Sequence, residues 1–312
     1  MAVPLFRAAD VYAAVSPERA LEAVRDGFVA YARREWTMPP KVYVPAYPDG
    51  DFRAMPAQGG GYALLKWISS FPGNPAHGLP TVIGTALLSD ASNGRLLAIL
   101  DAASLTALRT GAAAVLAAET LGRKEAETVA VIGAGVNGKA VARTFKARGR
   151  QVSLFDLDAE RTRAVADELG VGVAGSEQEA LSADVVATIT PGKNVLFPEG
   201  SLRPGQHVSL MGADGPDKSE IAPGELARVS VFCDDWEQAS HAGDLAHAVE
   251  GGLVGRDRVT ELGAVLTGEA DGRASDDAIT AFDSTGLAIQ DLAIALAAYE
   301  AADGLDLPTV DL

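Results

Sequence analysis

Residues 128–138 read TVAVIGAGVNG, and this stretch limits the fold more than any other in the chain. The apolar run VAVI leads directly into Gly133-Ala134-Gly135-Val136-Asn137-Gly138, and helical spacing follows over 136–148. A GxGxxG match alone says little; between a strand and a helix it reads as a dinucleotide-binding turn. The first glycine permits the tight turn, the second lets the backbone approach a pyrophosphate, and the third lets the helix pack close to the strand. The helix N-terminus then offers free N–H groups and a partial positive charge to the phosphates. Asp156 ends the next apolar run, QVSLFD, 23 residues after Gly133. A carboxylate there accepts hydrogen bonds from the adenosine ribose hydroxyls and repels a 2′-phosphate, which favours NAD over NADP. Arg161 and Arg163 are close in sequence and soften that preference, so NADP stays admissible.

Downstream, the runs ADVVATIT, HVSLMGA and VSVFCDD read as further strands, with a helical stretch at 159–169. Strands alternating with helices imply a parallel sheet with crossovers. A chain of 312 residues suggests two domains, and ahead of the glycine turn the pattern is different. Ser16-Pro17-Glu18 reads as a helix start, followed by Leu21, Val24, Phe28 and Tyr31 at helical spacing. Residues 37–56, interrupted by Pro39, Pro40, Pro45, Pro48 and Gly50, read as extended segments and turns. Residues 62–69, 81–88 and 95–100 read as strands, the last two joined by a hairpin turn at SDASNG. Ser104 is expected to cap a helix that ends near Leu121, with Gly122 as its stop. Residues 279–302 begin strand-like and become an apolar helix. This helix comes too late for the nucleotide unit and is expected to pack back on the N-terminal half. The chain therefore reads as α/β, with a Rossmann dinucleotide-binding domain at 123–276 inserted into a discontinuous domain made of 1–122 and 277–312.

The balance of 26 Lys and Arg against 42 Asp and Glu gives a formal net charge of −16. Such a surface repels nucleic acid and anionic lipid, so neither is an expected partner. An anionic substrate must then be held by local cations. Lys66 lies in the apolar strand YALLKWIS, where burial would lower its pKa and suit it to proton transfer; an edge lysine reaching back to water is the plain alternative. Arg109 lies in SLTALRTGAAAVLAA, apolar almost all round, and needs an anion there, whether a ligand or a structural carboxylate. Asp214 follows HVSLMGA at the carboxyl end of its strand, where α/β ligands bind, although a turn aspartate can simply bond its own backbone. Cys233 is the sole cysteine, and His77, His207, His241 and His247 show no zinc spacing, so no metal is expected. The N-terminus lacks a signal-peptide pattern and no apolar run approaches ~20 residues, which points to a soluble cytoplasmic protein.

Seven segments together resemble the ornithine cyclodeaminase and mu-crystallin family, which includes archaeal-type alanine dehydrogenases. They are MPPK (38–41), MPA (55–57), KWISSFPGNPAHGLPTVIG (66–84), TALRTGAAA (106–114), GAGVNG (133–138), GADGPDKSE (212–220) and FDSTGLAIQDLA (282–293). GLPTVIG, GADGP and FDSTGLAIQD bring the alanine dehydrogenase branch closest. The resemblance implies that the discontinuous domain binds substrate and forms a homodimer. It implies proton transfer by Lys66 and Asp214, and an Arg109 that meets both substrate carboxylate and cofactor. Thr81, Thr190, Gly212, Lys218 and Ser284 fall at cofactor contacts, beside the glycine turn of Gly133, Ala134, Gly135, Val136 and Gly138. Thr285 falls on the substrate side. Lys41 stands where the family usually has a carboxylate-binding arginine, keeping the charge without the bidentate fork. Arg53 stands where ornithine-specific members have a glutamate, and its charge would repel ornithine's distal ammonium. The expected activity is therefore NAD-dependent interconversion of a small L-amino acid with its imino or 2-oxo acid, as in alanine dehydrogenase or an imine reductase. If Arg53 meets the substrate, a second carboxylate becomes acceptable. An ornithine cyclodeaminase with recycling NAD and a mu-crystallin-like NAD(P)- or ligand-binding protein are the alternatives.

Overall fold

The computed structural model describes residues 2–191, 194–215 and 218–312, and the chain forms two compact units, Met1–Arg109 with Leu287–Leu312 and Thr110–Gly286. In the first unit, β1 (Ala2–Phe6), α1 (Ala8–Ala14), α2 (Pro17–Ala32), β2 (Val42–Ala46), β3 (Gly50–Gly59), β4 (Tyr62–Ser70), β5 (Val82–Asp90) and β6 (Leu96–Asp101) precede α3 (Ala102–Leu121), which contributes its residues through Arg109. α11 (Ala288–Glu300) and β15 (Thr309–Asp311) complete it. The seven strands run β15-β1-β6-β5-β4-β3-β2, antiparallel except where β1 pairs with β6.

The register decides which side chains meet. Met55 lies opposite Lys66 and Arg53 opposite Ile68. With a side-chain period of two, Asp51, Arg53, Met55 and Ala57 share one face with Leu64, Lys66 and Ile68, and all seven are buried. The apolar helix α11 packs against β3, β4 and α2. Gly27 lets α2 come close: a Cβ there would stand 3.3 Å from Ala293 Cβ. α3 starts two residues before the expected Ser104. Asp101 supplies the cap, its Oδ1 accepting from Ser104 N at 2.7 Å, and the Ser104 hydroxyl donates back to the Asp101 carbonyl at 3.0 Å. β1 was not anticipated, because AVPLF carries no local strand signal; its partners β6 and β15 lie far along the chain.

The second unit contains β7 (Thr128–Ile132), α4 (Val136–Ala147), β8 (Gln151–Phe155), α5 (Ala159–Leu169), β9 (Gly172–Val173), α6 (Glu177–Leu181), β10 (Val185–Thr188) and β11 (His207–Leu210). α7 (Pro223–Leu226), β12 (Ser230–Cys233), α8 (Trp236–Ala242), α9 (Leu245–Glu250), β13 (Val259–Glu261), α10 (Leu262–Thr267) and β14 (Thr280–Asp283) follow. All eight strands are parallel, in the order β13-β12-β14-β11-β10-β7-β8-β9. This arrangement moves the unit boundaries away from the expected 122/123 and 276/277. β14 is paired on both sides, by β11 and β12, so it belongs to this sheet and not with the helix that follows it. The later part of α3 is also fastened here, the Leu121 carbonyl accepting from Arg273 Nε at 2.8 Å. His207 is fully buried between the hydroxyls of Thr280 (2.9 Å) and Ser209 (3.0 Å). Burial, helped by Arg273, pushes its pKa down to about 3, so the ring is neutral.

Candidate active site

In the first unit three charged side chains converge in a dry setting. Lys66 on β4 is 1% exposed, and its ammonium stands 2.7 Å from Asp291 Oδ2 and 3.3 Å from Thr106 Oγ1. Asp291, in the first turn of α11, is fully buried. Arg109 Nε on α3 lies 3.9 Å from Asp291 Oδ1, too far for a hydrogen bond, and makes none among the described residues. Burial lowers the Lys66 pKa most, Asp291 raises it, and Arg109 and Arg53 lower it; the outcome is about 8. Arg53, on the same sheet face, gives its fork to Asp51, with contacts of 2.6 and 3.1 Å, and lies over the Tyr43 ring at 5.4 Å. Lys41 is partly buried just ahead of β2, and Thr81 just ahead of β5. Lys66, Arg109 and Asp291 together carry one excess positive charge, while Arg53 and Asp51 neutralise each other.

In the second unit the residues singled out from sequence gather at the carboxyl ends of parallel strands, where a doubly wound sheet receives ligands. Gly133 follows β7 with φ of 108°, and a Cβ there would meet the Ile189 carbonyl at 2.4 Å. At Gly138 a Cβ would lie 1.8 Å from the Gly133 carbonyl oxygen, so only glycine lets the helix come this close. Gly135 differs: it is the N-cap of α4, offers no side-chain cap, and has nothing within 4 Å of its Cβ position. Ala134 is buried, and Val136 is 68% exposed on the first turn. Asp156 follows β8 and accepts from Ala134 N at 2.7 Å, Asp158 N at 2.9 Å and Arg161 at 2.6 Å. Burial opposes its ionisation, but these hydrogen bonds outweigh burial and hold the carboxyl below its ordinary pKa.

Asp214, in the loop after β11, is about a third exposed and pairs with Lys218 at 2.5 Å. Pro216 and Asp217 of the GADGPDKSE segment lie outside the described residues. A buried carboxylate absent from the sequence reading fastens this loop. Glu220 accepts from Thr188 Oγ1 (2.6 Å), Thr190 N (2.9 Å), Thr190 Oγ1 (2.6 Å) and Gly212 N (3.0 Å), tying the ends of β10 and β11 together. A second one, Asp234, accepts from Ser284 Oγ at 3.1 Å, Thr285 Oγ1 at 3.2 Å and Gly286 N at 2.8 Å. Ser284 and Thr285 are thus nearly buried, with hydroxyls engaged by Asp234. Among the described residues, no group of three or more His, Cys, Asp or Glu is placed to hold a metal ion, and no helix is long and apolar enough to cross a membrane.

A model of the ornithine cyclodeaminase/mu-crystallin family matches residues 4–305. The chain belongs to that family. Among its relatives, alanine dehydrogenase of Archaeoglobus fulgidus is 39% identical over 300 residues, covering 93% of this chain and 92% of that one. An archaeal alanine dehydrogenase dimer solved with bound NAD superposes with a TM-score of 0.92 at 37% identity, over the full length of both chains. The iminosuccinate reductase of Paracoccus denitrificans, solved in complex with NAD+, superposes at 0.90 with 29% identity, again over both full chains. The family members thus share the α/β architecture described above.

Proposed function

We propose that this chain is an NAD-dependent enzyme that interconverts a small monocarboxylic L-amino acid and its imino or 2-oxo acid. One observation carries the reading: a buried lysine and a half-buried guanidinium with a buried Nε share a single carboxylate, Asp291, leaving one positive charge and an unbonded Arg109 Nε–H. A buried charge without a partner is costly, and a substrate carboxylate supplies the missing anion in the bidentate form that a guanidinium prefers.

The dinucleotide fits the second unit. The open position at Gly135, the uncapped start of α4 and the anionic Asp156 after β8 are the elements that hold pyrophosphate and ribose. NAD bound there supplies the two-electron step at the substrate's α-carbon. Lys66, with a pKa of about 8, holds a proton at neutral pH yet releases it readily. It can protonate the carbinolamine hydroxyl, which leaves as water as the imine forms, and in the reverse direction take a proton from the attacking water. Asp214, paired with Lys218, is the second proton-handling group. Arg109 orients the carboxylate. Arg53 supports a monocarboxylic substrate, since a second carboxylate would have to displace Asp51 from its fork.

We further infer a homodimer. Val42, Val44, Leu65, Trp67, Ile83 and Leu87 are 37–57% exposed on the outer face of β2, β4 and β5. A contiguous apolar face of this kind marks an interaction surface. Trp67→Glu is expected to yield a monomer by light scattering; an unchanged mass would contradict this.

The activity is tested by NADH consumption with pyruvate plus ammonia, oxaloacetate plus ammonia, and ornithine. Pyruvate turnover that disappears in Lys66→Ala, with NADH still bound, is the expected result. No turnover with any 2-oxo acid and amine would overturn the proposal.

A further inference from the structure

The Asp156 subsite carries a cation that a ribose-binding acid alone does not. Arg161 donates to Asp156 Oδ1 at 2.6 Å and lies 3.5 Å from Asp158 Oδ2. Its backbone is fixed in the first turn of α5, with Arg161 N donating to Asp158 Oδ1 at 3.0 Å, while its side chain remains 47% exposed. Asp156 is nearly spent: Oδ2 takes Ala134 N, and Oδ1 takes both Asp158 N and Arg161. The acid that would exclude a 2′-phosphate is therefore neutralised by contact. The guanidinium that neutralises it has five N–H donors and uses few of them on carboxylates.

We propose that Arg161 makes the adenosine end of the site dual, so that the chain takes the 2′-phosphate of NADP as well as the free ribose hydroxyls of NAD. The inference rests on the dinucleotide reading of the second unit. With NAD, the ribose hydroxyls share Asp156 with the arginine. With NADP, the guanidinium turns from Asp156 to the phosphate, a planar bidentate pairing that arginine makes well. The exchange is inexpensive because a partly exposed ion pair is worth little. Asp156 and Asp158 leave the corner at one net negative charge with Arg161 present and two without it. Removing the arginine therefore harms the phosphate-bearing cofactor far more than the other. Arg163, exposed on the same helix, is the control: it raises the general positive charge without contacting Asp156 in this structure.

The test is calorimetric binding of NADH and NADPH to the intact protein, which needs no turnover. In the wild type, the two dissociation constants are expected within about tenfold of each other. Arg161→Ala should weaken NADPH by at least about tenfold and change NADH by less than about threefold; Arg163→Ala should change neither by more than about threefold. Wild-type NADPH binding about a hundredfold or more weaker than NADH would overturn the proposal. So would an Arg161→Ala variant that weakens both cofactors equally, or neither, or an Arg163→Ala variant that loses NADPH as severely. In those cases tight NADH binding would leave the parent reading standing. Failure of both dinucleotides to bind would remove the parent reading and this one with it.

Discussion

Replacing Asp291 with asparagine removes one negative charge beside Lys66 while keeping the side chain's size. The two groups are 2.7 Å apart and essentially without solvent. Burial drives the lysine pKa down, Asp291 resists, and the balance stands at about 8. Unit charges about 4 Å apart at an effective dielectric near 20 interact by about 4 kcal/mol, equivalent to about 3 pK units. Water entry and side-chain relaxation return part of this, so a fall of about 1–3 units is expected. Lys66 would then be largely uncharged at neutral pH, and its value as a proton donor to the departing hydroxyl would drop with it. The assay is kcat/KM for pyruvate reduction at fixed free-ammonia concentration, from about pH 6 to 10. The wild-type limb governed by Lys66 should inflect near 8, and in Asp291→Asn the inflection should lie at least about one unit lower. Loss of an anionic partner can only favour the neutral amine. An inflection that stays in place or moves up would refute the assignment of Lys66 as the titrating group with Asp291 as its partner.

Two further tests separate fold from ligand. Gly138→Ala would put a Cβ 1.8 Å from the Gly133 carbonyl oxygen, so melting should fall by several degrees and NADH affinity with it. Gly135→Ala meets nothing within 4 Å, so it should leave the melting temperature unchanged yet weaken NADH; equal NADH affinity in wild type and Gly135→Ala would mean that the open position is not the pyrophosphate site. Buried His207 has a folded pKa of about 3 against about 6.5 for the unfolded chain. Between these values the unfolded state binds the extra proton, so stability is unaffected above about pH 6.5 and falls by about 1.4 kcal/mol per pH unit below it. His207→Gln should remove that slope from denaturant titrations between about pH 4 and 6; an unchanged slope would show that other groups cause it.

The sequence was most legible where one segment carries its own physics. The glycine turn needed only its own strand and helix, and the cation in YALLKWIS announced its burial by composition. Asp291 met the same test, an acid inside the apolar helix AIQDLAIALAAYE, yet was passed over; pairing the stranded charges of opposite sign across segments would have found it. Glu220 and Asp234 could not be found that way, because their roles are defined by backbone N–H groups and hydroxyls brought from other strand ends. Arg53 was read as a lone charge that disfavours ornithine; its partner Asp51, two residues away on the same face, offsets that charge and was not considered. β14 was placed in the wrong unit because its neighbours in sequence outweighed its partners in space, and a parallel strand with remote partners gives no local sign of which sheet it joins.

In the proposed reaction the Lys66 cluster holds an organic acid and nicotinamide exchanges hydrogen with its α-carbon. Reduction with 4,4-dideuterated NADH, pyruvate and ammonia, read by mass spectrometry of the amino acid formed, tests it most directly. One deuterium at the α-carbon of alanine, formed by the wild type and not by Lys66→Ala, is predicted. Tight NADH binding with no deuterium reaching the α-carbon of any amino acid product would contradict it.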